Sequence, residues 1–181
     1  MTAGLDAAAR AAALRSSPGI RLRRSPRRTD VAAVRALARK TGVFTDAEQA
    51  VAAELVSERL RAGRKSGYFF AFADLDGAPV GYAAWGPVPM TAASYDLYWI
   101  VVDPAVQRLG LGRRLLELAE AAVRERGGRR LYVETSSRES YARTRRFYRR
   151  AGYRRAAVFP DFYADGDHKF VLCKHLDREA F

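Results

Sequence analysis

The most restrictive feature of this sequence is a long apolar strand that leads through a glycine-containing turn into an amphipathic helix. The strand, Tyr95 to Val102, is rich in β-branched and aromatic residues, and Asp103 and Pro104 end it. From about Gly110 to Arg126, leucines and alanines recur at helical spacing. A strand that continues into a packed helix is typical of α/β proteins, and we therefore expect a mixed α/β sheet.

The remaining segments follow the periods of strands and helices. Asp76-Gly77 and Asp165-Gly166 each predict a tight hairpin turn. The predicted helices run from Thr29 or Asp30 to Gly42, from about Asp46 to Leu60, and from about Ser140 to Ala151. The predicted strands are an edge strand at Ile20 to Arg23, Tyr68–Phe72 paired with Val80–Tyr82, Leu131–Thr135, and Ala156–Phe162 paired with Lys169–Leu176.

The length and composition of the chain favour one domain. A chain of 181 residues, 49% of them hydrophobic, can form a core without a disulfide or a metal, so we expect a single domain over residues 19–181. Residues 1–18 are Ala-rich, which predicts a flexible tail. The single cysteine, Cys173, is predicted to be a buried thiol. No segment resembles a membrane span or a signal sequence, and we expect a cytoplasmic protein with no membrane partner.

The chain is strongly basic, with 32 Lys and Arg residues against 20 Asp and Glu residues and a net charge of +12. Because basic proteins attract phosphate, this charge leaves a nucleic-acid-binding module open as an alternative function. The cations are nearly all arginine and the chain is also rich in alanine, a bias typical of GC-rich genomes. We therefore expect no nucleic-acid partner, although polyanionic ligands should bind favourably.

The glycine turn after Asp103 is the first candidate binding site. Gly110 and Gly112 let a ligand approach the backbone, and the first N–H groups of a helix have no partner inside it. Together with the positive end of the helix dipole and the neighbouring arginines, the turn could bind a pyrophosphate. A plain turn before a surface helix would contain the same glycines, so both interpretations stay open at this point. The candidate residues are Gln107, Arg108, Leu109, Gly110, Leu111, Gly112 and Arg113.

Two motifs resemble those of the GNAT acetyltransferase superfamily. Tyr98-Trp-Ile-Val-Val-Asp-Pro104, followed by Gln107 to Gly112 and then Leu115-Leu116, is similar to that family's acyl-CoA-binding motif. Phe147-Tyr148-Arg-Arg-Ala-Gly152-Tyr153 is similar to its later helix-to-strand motif. The resemblance covers about Ile20 to Leu176. It implies an α/β (α+β) fold with a mixed, mostly antiparallel central sheet, flanking helices and a splayed strand pair that holds acyl-CoA, with acetyl-CoA as co-substrate and no metal.

The resemblance also implies roles for individual residues. The main chain of Ile100 and Val102 would contact the pantetheine arm, and the amides of residues 108–113 would hold the diphosphate. Tyr148 would be the general acid that protonates the departing CoA thiolate. The sequence departs from the family at Tyr141, where many members have an asparagine, and this puts one CoA contact in doubt. Tyr148 also follows the spacing of a buried helix face, so a structural role in the core is the alternative.

An acceptor amine must lose its proton before it attacks a thioester, and two carboxylates could accept that proton. For an alkyl amine of pKa about 10.4, the neutral form at pH 7 costs about 4 to 5 kcal/mol. Asp96 lies in the strand before the turn, where some family members have a base, and Glu134 interrupts the next apolar strand. Acids in apolar strands tend to have raised pKa values, which suits proton acceptance. Asp96 is the first choice, and an ion pair with an arginine is the alternative for both.

An acidic and aromatic segment surrounds the last predicted hairpin. Asp161 and Tyr163 are expected to bind the acceptor, because similar loops flank the acceptor site in the family. Asp165 and Asp167 are expected to be solvated residues of the hairpin turn. The two histidines have no companions at the spacing of metal ligands, so we expect no metal site.

These features predict an N-acetyltransferase that moves an acetyl group from acetyl-CoA to a primary amine by direct attack in a ternary complex. The acceptor could be a small molecule, a lysine side chain or a protein N-terminus, and the protein could be a monomer or a homodimer. Nucleotide enzymes are disfavoured, because Leu115 replaces the third glycine of the dinucleotide motif and no Gly-Lys-Ser/Thr follows. The alternatives are a nucleic-acid-binding module and an acetyl-CoA sensor without turnover.

Overall fold

Seven strands and four helices make up the described part of the chain, which is residues 19–107 and 109–177 of a computed structural model. The predicted tail at residues 1–18 and the candidate residue Arg108 lie outside the described residues. The strands are β1 (Ile20–Arg23), β2 (Phe69–Leu75), β3 (Ala78–Pro87), β4 (Ser94–Val102), β5 (Arg130–Ser136), β6 (Arg154–Ala164) and β7 (Asp167–His175). The helices are α1 (Asp30–Thr41), α2 (Asp46–Ala62), α3 (Leu111–Arg124) and α4 (Ala142–Arg150).

The local signals in the sequence place these elements within a few residues. Gly42 ends α1 with a left-handed φ of 70°, a conformation that glycine adopts without strain. The Asp76-Gly77 turn has φ values of 50° and 86°, as a tight hairpin requires. Thr45 accepts a hydrogen bond from the Glu48 N–H at 3.3 Å and caps α2. The predicted helix from Ser140 begins instead as a short 3-10 turn, Glu139–Tyr141, before α4.

The strands form one sheet in the order β1-β2-β3-β4-β5-β7-β6. The pairs β1–β2, β5–β7 and β6–β7 are antiparallel, whereas β4 and β5 are parallel. The β4–β5 register ends at Asp96 and Tyr132, although β4 continues to Val102 and β5 to Ser136. The predicted mixed, mostly antiparallel sheet is therefore confirmed, and the splayed strand pair stays a prediction.

The chain divides into two compact units. The first contains the described residues up to Ala84 together with Trp99–Leu118, and the second contains Trp85–Tyr98 together with the described residues from Ala119 onwards. Each is described separately below, and the single-domain organisation stays a prediction. None of the helices among the described residues is long and apolar enough to cross a membrane.

The first unit has an apolar core between its helices and its strands. Val34 and Leu37, on one face of α1, are buried there, as are alternating aromatic residues of β2 and β3. Phe72 stacks on Tyr82 with ring centres 6.2 Å apart. This core fixes the inner face of β3 and of the last part of β4. Its buried members are Val34, Leu37, Val56, Phe70, Phe72, Tyr82, Ala84 and Val101.

The second unit is organised around β7, which pairs with β5 on one side and β6 on the other. Its core also contains a buried carboxylate, Glu120, which accepts hydrogen bonds from the Tyr153 hydroxyl at 3.2 Å and from Lys174 Nζ at 2.7 Å. These hydrogen bonds offset the free-energy cost of burying the Glu120 carboxylate away from water. Cys173 is buried, as predicted. The buried apolar residues include Leu131, Val133, Tyr148, Ala151, Tyr153, Leu172 and Leu176.

Candidate active site

The turn from β4 to α3 is held by a charged group at its start. The Asp103 N–H donates to Val80 O at 2.8 Å, and the Asp103 carboxylate accepts from the Ala105 N–H at 3.0 Å and from Lys40 Nζ at 2.7 Å. These bonds, the one from Lys40 first, hold the pKa of Asp103 below its usual range. The 3-10 turn Pro104–Val106 follows directly, so the direction of the chain into the candidate binding turn is fixed.

The N-terminus of α3 has the features of an anion site. Gly110 takes a φ of 76°, and its carbonyl accepts the Arg114 N–H at 3.1 Å. Because this bond begins the helix, the amides of Leu111, Gly112 and Arg113 have no acceptor inside α3. The first turn of α3, all of it within the described residues, contains no acidic side chain that would compete with an anion.

The other candidate residues of this turn differ in their accessibility. Gln107 and Leu109 are exposed, and Gln107 Nε2 donates to Val102 O at 3.3 Å. Leu111 is buried and anchors the first turn of α3. Arg113 is exposed and pairs with Glu117 at 2.6 Å, so its guanidinium would have to leave that partner to bind a phosphate. The binding role of this turn stays a prediction, and it would depend mainly on the backbone.

Gly81 is a positioning feature that the sequence analysis did not select. A Cβ at this position would lie 3.0 Å from Val101 O and 3.4 Å from the nearest Val102 side-chain atom. A side chain there would need the neighbouring atoms to move by a few tenths of an ångström, so β3 packs tightly against the segment of β4 that carries Ile100 and Val102. The sequence does contain a signal for this position, because a glycine inside a strand often marks a close approach of two backbones.

The second unit brings the two candidate bases onto one sheet face. Asp96 is half-buried, and burial, followed by the negative charge of Glu134, raises its pKa, while Lys169 opposes that rise. Glu134 is 56% exposed and accepts from Lys169 Nζ at 3.2 Å. The predicted alternative of an arginine partner is wrong for Glu134, whose partner is a lysine. Within the described part of the chain, Asp96 has no ion pair.

Tyr148 lies in the core of the second unit. Its ring makes edge contacts with Phe147 and Tyr153, with centroid distances of 5.0 and 5.5 Å. Burial raises its pKa, so the phenol keeps its proton at neutral pH. The residue has the packing of a core tyrosine and the protonation state of a general acid, and its catalytic role stays a prediction.

Hydrogen bonds of Asp161 connect the two sides of the turn between β6 and β7. The Asp161 carboxylate accepts the Gly166 N–H at 2.8 Å, and the Asp161 N–H donates to His168 Nδ1 at 2.9 Å. Tyr163 is exposed. The expectation of a solvated Asp167 is wrong: its side chain is buried, accepts from the Ser136 hydroxyl and pairs with Arg138 Nε at 2.8 Å. Asp167 is the first residue of β7 and lies next to the end of β5. The residues around it in the sequence do not indicate this position.

The fold is that of a known family of transferases. The model of the acetyltransferase (GNAT) family matches residues 32–153, and the chain belongs to this family. It is therefore an acetyltransferase of the acetyl-CoA-dependent class. Among the described residues, no three His, Cys, Asp or Glu side chains come together as metal ligands would.

Named relatives and solved structures agree with this assignment. Blasticidin-S acetyltransferase from Streptomyces morookaense is 38% identical over 104 residues, which are 57% of this chain and 68% of that protein. Mycothiol acetyltransferase from Cellulomonas flavigena is 33% identical over 117 residues, which are 58% of this chain and only 33% of that protein. A crystal structure of a GNAT-family protein from Desulfovibrio desulfuricans is 46% identical, with a TM-score of 0.85, and covers 87% of this chain and 99% of its own.

YncA from Salmonella typhimurium, solved with its cofactor acetyl-CoA, has a TM-score of 0.69. It is 19% identical and covers 90% of this chain and 96% of its own, a likeness in fold.

Proposed function

We propose that this chain transfers an acetyl group from acetyl-CoA to a primary amine, which attacks the thioester directly while both substrates are bound. The observation that supports this most strongly is the half-buried carboxylate of Asp96, a proton acceptor with a raised pKa and no ion pair among the described residues. A covalent acetyl-enzyme is disfavoured at the one cysteine, because Cys173 is buried and burial raises the pKa of its thiol.

The turn from β4 to α3 is the proposed binding element for the donor. The amides of residues 108–113 would hold the diphosphate, and the main chain of Ile100 and Val102 would contact the pantetheine arm. The absence of carboxylates in the first turn of α3 fits an anionic ligand, and Gly110 and Gly112, both half-buried, add no side chain over the backbone. When bound, acetyl-CoA supplies the thioester carbonyl and a thiolate leaving group.

Proton transfers complete the proposed reaction. The amine nitrogen forms a bond to the acetyl carbon, the carbon–sulfur bond breaks, Asp96 takes a proton from the amine, and Tyr148 gives one to the thiolate. Asp96 is preferred to Glu134 because Glu134 is exposed and already paired with a lysine. Asp161 and Tyr163 are proposed to contact the acceptor, since both lie at the exposed β6–β7 end.

Replacing Asp96 by asparagine should lower kcat/KM for an alkyl amine about thirtyfold at pH 7. The effect should be much smaller for an acceptor of pKa about 7.8, because its neutral form costs only about 1 kcal/mol. The measurement is thiol release with the two classes of amine. Glu134→Gln is the matched control and should lose far less activity; if Glu134→Gln were the inactive variant and Asp96→Asn the active one, the base would be Glu134.

The acceptor is to be found with a panel of small amines, amino acids, lysine peptides and peptides with free N-termini, assayed by release of the CoA thiol. The name of one relative makes blasticidin S the first compound to include. Amine-dependent release supports the proposal, whereas release that is independent of any amine contradicts it. Binding of acetyl-CoA with no release for any acceptor would indicate a sensor.

The nucleic-acid alternative rests on the net charge and on the arginines near α4, most of which are exposed. Arg145, one of that group, donates to Ser136 O at 2.8 Å and to Arg138 O at 2.6 Å, so it has a structural task. A nucleic-acid-binding module would lose affinity steeply with salt and would be indifferent to acetyl-CoA. The cytoplasmic location and the monomeric or homodimeric state stay predictions.

A further inference from the structure

A lysine that the sequence analysis did not select lies beside the candidate bases. The side chain of Lys169 is 13% exposed, and its Nζ donates to Glu134 Oε1 at 3.2 Å. The same ammonium lies 3.9 Å from the centre of the Phe162 ring and 5.0 Å from that of Phe159. A cation held by a carboxylate and two aromatic faces is fixed in position, unlike a free surface lysine.

The strand register places this lysine on the same sheet face as both carboxylates. Lys169 pairs with Ser136, two residues beyond Glu134 on β5, and Asp96 pairs with Tyr132, two residues before Glu134. Alternate residues of a strand share a face, and partners in register share it too. This face therefore carries Asp96, Glu134 and Lys169, and the formal charges of these three side chains sum to one negative charge.

We propose that Lys169 is a positioning residue for acetyl transfer. Its ammonium pairs with Glu134, so that this carboxylate is not available to accept a proton and Asp96 accepts it instead. This inference rests on the proposed function, because it concerns how the acceptor amine is deprotonated. A second consequence is electrostatic, since the ammonium offsets the repulsion between the two carboxylates and so helps Asp96 to be ionised at neutral pH.

The charged groups that act on Asp96 come from the two strands beyond β4. Glu134 on β5 raises the pKa of Asp96, and Lys169 on β7 lowers it. Tyr132, the register partner of Asp96, is neutral near pH 7, because burial raises its pKa above the usual range. Asp96 must be ionised to accept a proton, so kcat/KM falls as the pH drops through its pKa.

Replacing Lys169 by methionine should move the acid limb of the pH profile of kcat/KM to higher pH by about half a unit or more. The loss of activity should reach about threefold on the acid side and vanish above pH 9, where Asp96 is ionised in both proteins. Lys169→Arg keeps a cation in place, and its acid limb should lie at the same pH as that of the wild type. Lys65→Met removes a lysine from the 3-10 turn before β2 and is the matched control for the change of net charge.

Replacing Glu134 by glutamine should move the same limb in the opposite direction, because it removes the charge that repels the Asp96 carboxylate. The inference is overturned if the acid limb of Lys169→Met lies at the same pH as that of the wild type, or if Lys65→Met shows the same shift of the limb. If Lys169→Met does not fold, the test rests on Glu134→Gln. The proposed role of Lys169 is then contradicted if the acid limb of the kcat/KM profile of Glu134→Gln does not move, or if this variant is inactive.

Failure of the inference can be told apart from failure of the proposed function. A wild-type protein that releases no thiol with any amine refutes both. A wild-type protein that is active with amines, and whose acid limb ignores Lys169 and Glu134, refutes only the role of Lys169. Binding of acetyl-CoA, measured by calorimetry in every variant, confirms that the protein under test is folded.

Discussion

Tyr148→Phe should lower kcat by about a hundredfold or more while leaving the affinity for acetyl-CoA unchanged. The CoA thiolate needs a proton as it departs, and the buried phenol keeps its own proton at neutral pH because burial raises its pKa. Phenylalanine retains the ring and its edge contacts with Phe147 and Tyr153 and removes only the oxygen. Thiol release at saturating substrates gives kcat, and calorimetry gives the Kd of acetyl-CoA.

The matched control is Tyr153→Phe, the neighbouring buried tyrosine. This variant loses the hydrogen bond to Glu120 at 3.2 Å, so its Tm should fall, but its kcat should stay close to that of the wild type at a temperature where it is folded. If Tyr148→Phe keeps full activity, Tyr148 is a core residue without a role in catalysis. If it loses activity and cofactor binding together, the effect is structural.

Gly112→Glu should abolish the binding of acetyl-CoA, with an increase in Kd of at least about a hundredfold. Gly112 is the second residue of α3, where the amides have no acceptor inside the helix and no acid lies in the first turn. A glutamate there adds bulk over the backbone and a negative charge where the diphosphate is proposed to bind. The wild-type protein should gain about 2.7 kcal/mol of stability at a ligand concentration of 100 Kd, and the variant should gain none.

The chain offers a close control for this substitution. Ala47 is the exposed second residue of α2, so Ala47→Glu places the same side chain at the same position of another helix. This variant should keep the full rise of Tm with acetyl-CoA. A Gly112→Glu protein that is still stabilised by acetyl-CoA would contradict the proposed diphosphate site.

Much of the fold follows from local patterns along the chain. Helix α1 buries the stripe that its spacing predicts, and the Asp76-Gly77 turn joins β2 to β3 as its residue types require. The turn before α3 could also be located, because a glycine between a strand and a helix marks a backbone conformation that other residues rarely adopt, here the φ of 76° at Gly110. In each case the residues that decide the structure are close neighbours in sequence, so their preferences can be read without knowing the fold.

Other features depend on strands that are distant in sequence. β7 lies between β5 and β6, so Lys169 comes to lie beside Glu134, which is 35 residues away along the chain. The same insertion buries Asp167 against Ser136, although its local sequence is that of an exposed turn. No local sequence pattern indicates such a pairing, because the order of strands in the sheet determines which residues become neighbours.

The sequence by itself determined the types and approximate limits of the helices and strands, the glycine turn and the list of candidate acids and bases. Only the tertiary structure decided how these groups differ: Asp96 is half-buried and has no ion pair with any described residue, Glu134 is paired with a lysine, and Tyr148 is in edge contact with two aromatic rings. The physical reason is that a residue's type is fixed by the chain, whereas its desolvation and its charged neighbours depend on which strands lie side by side.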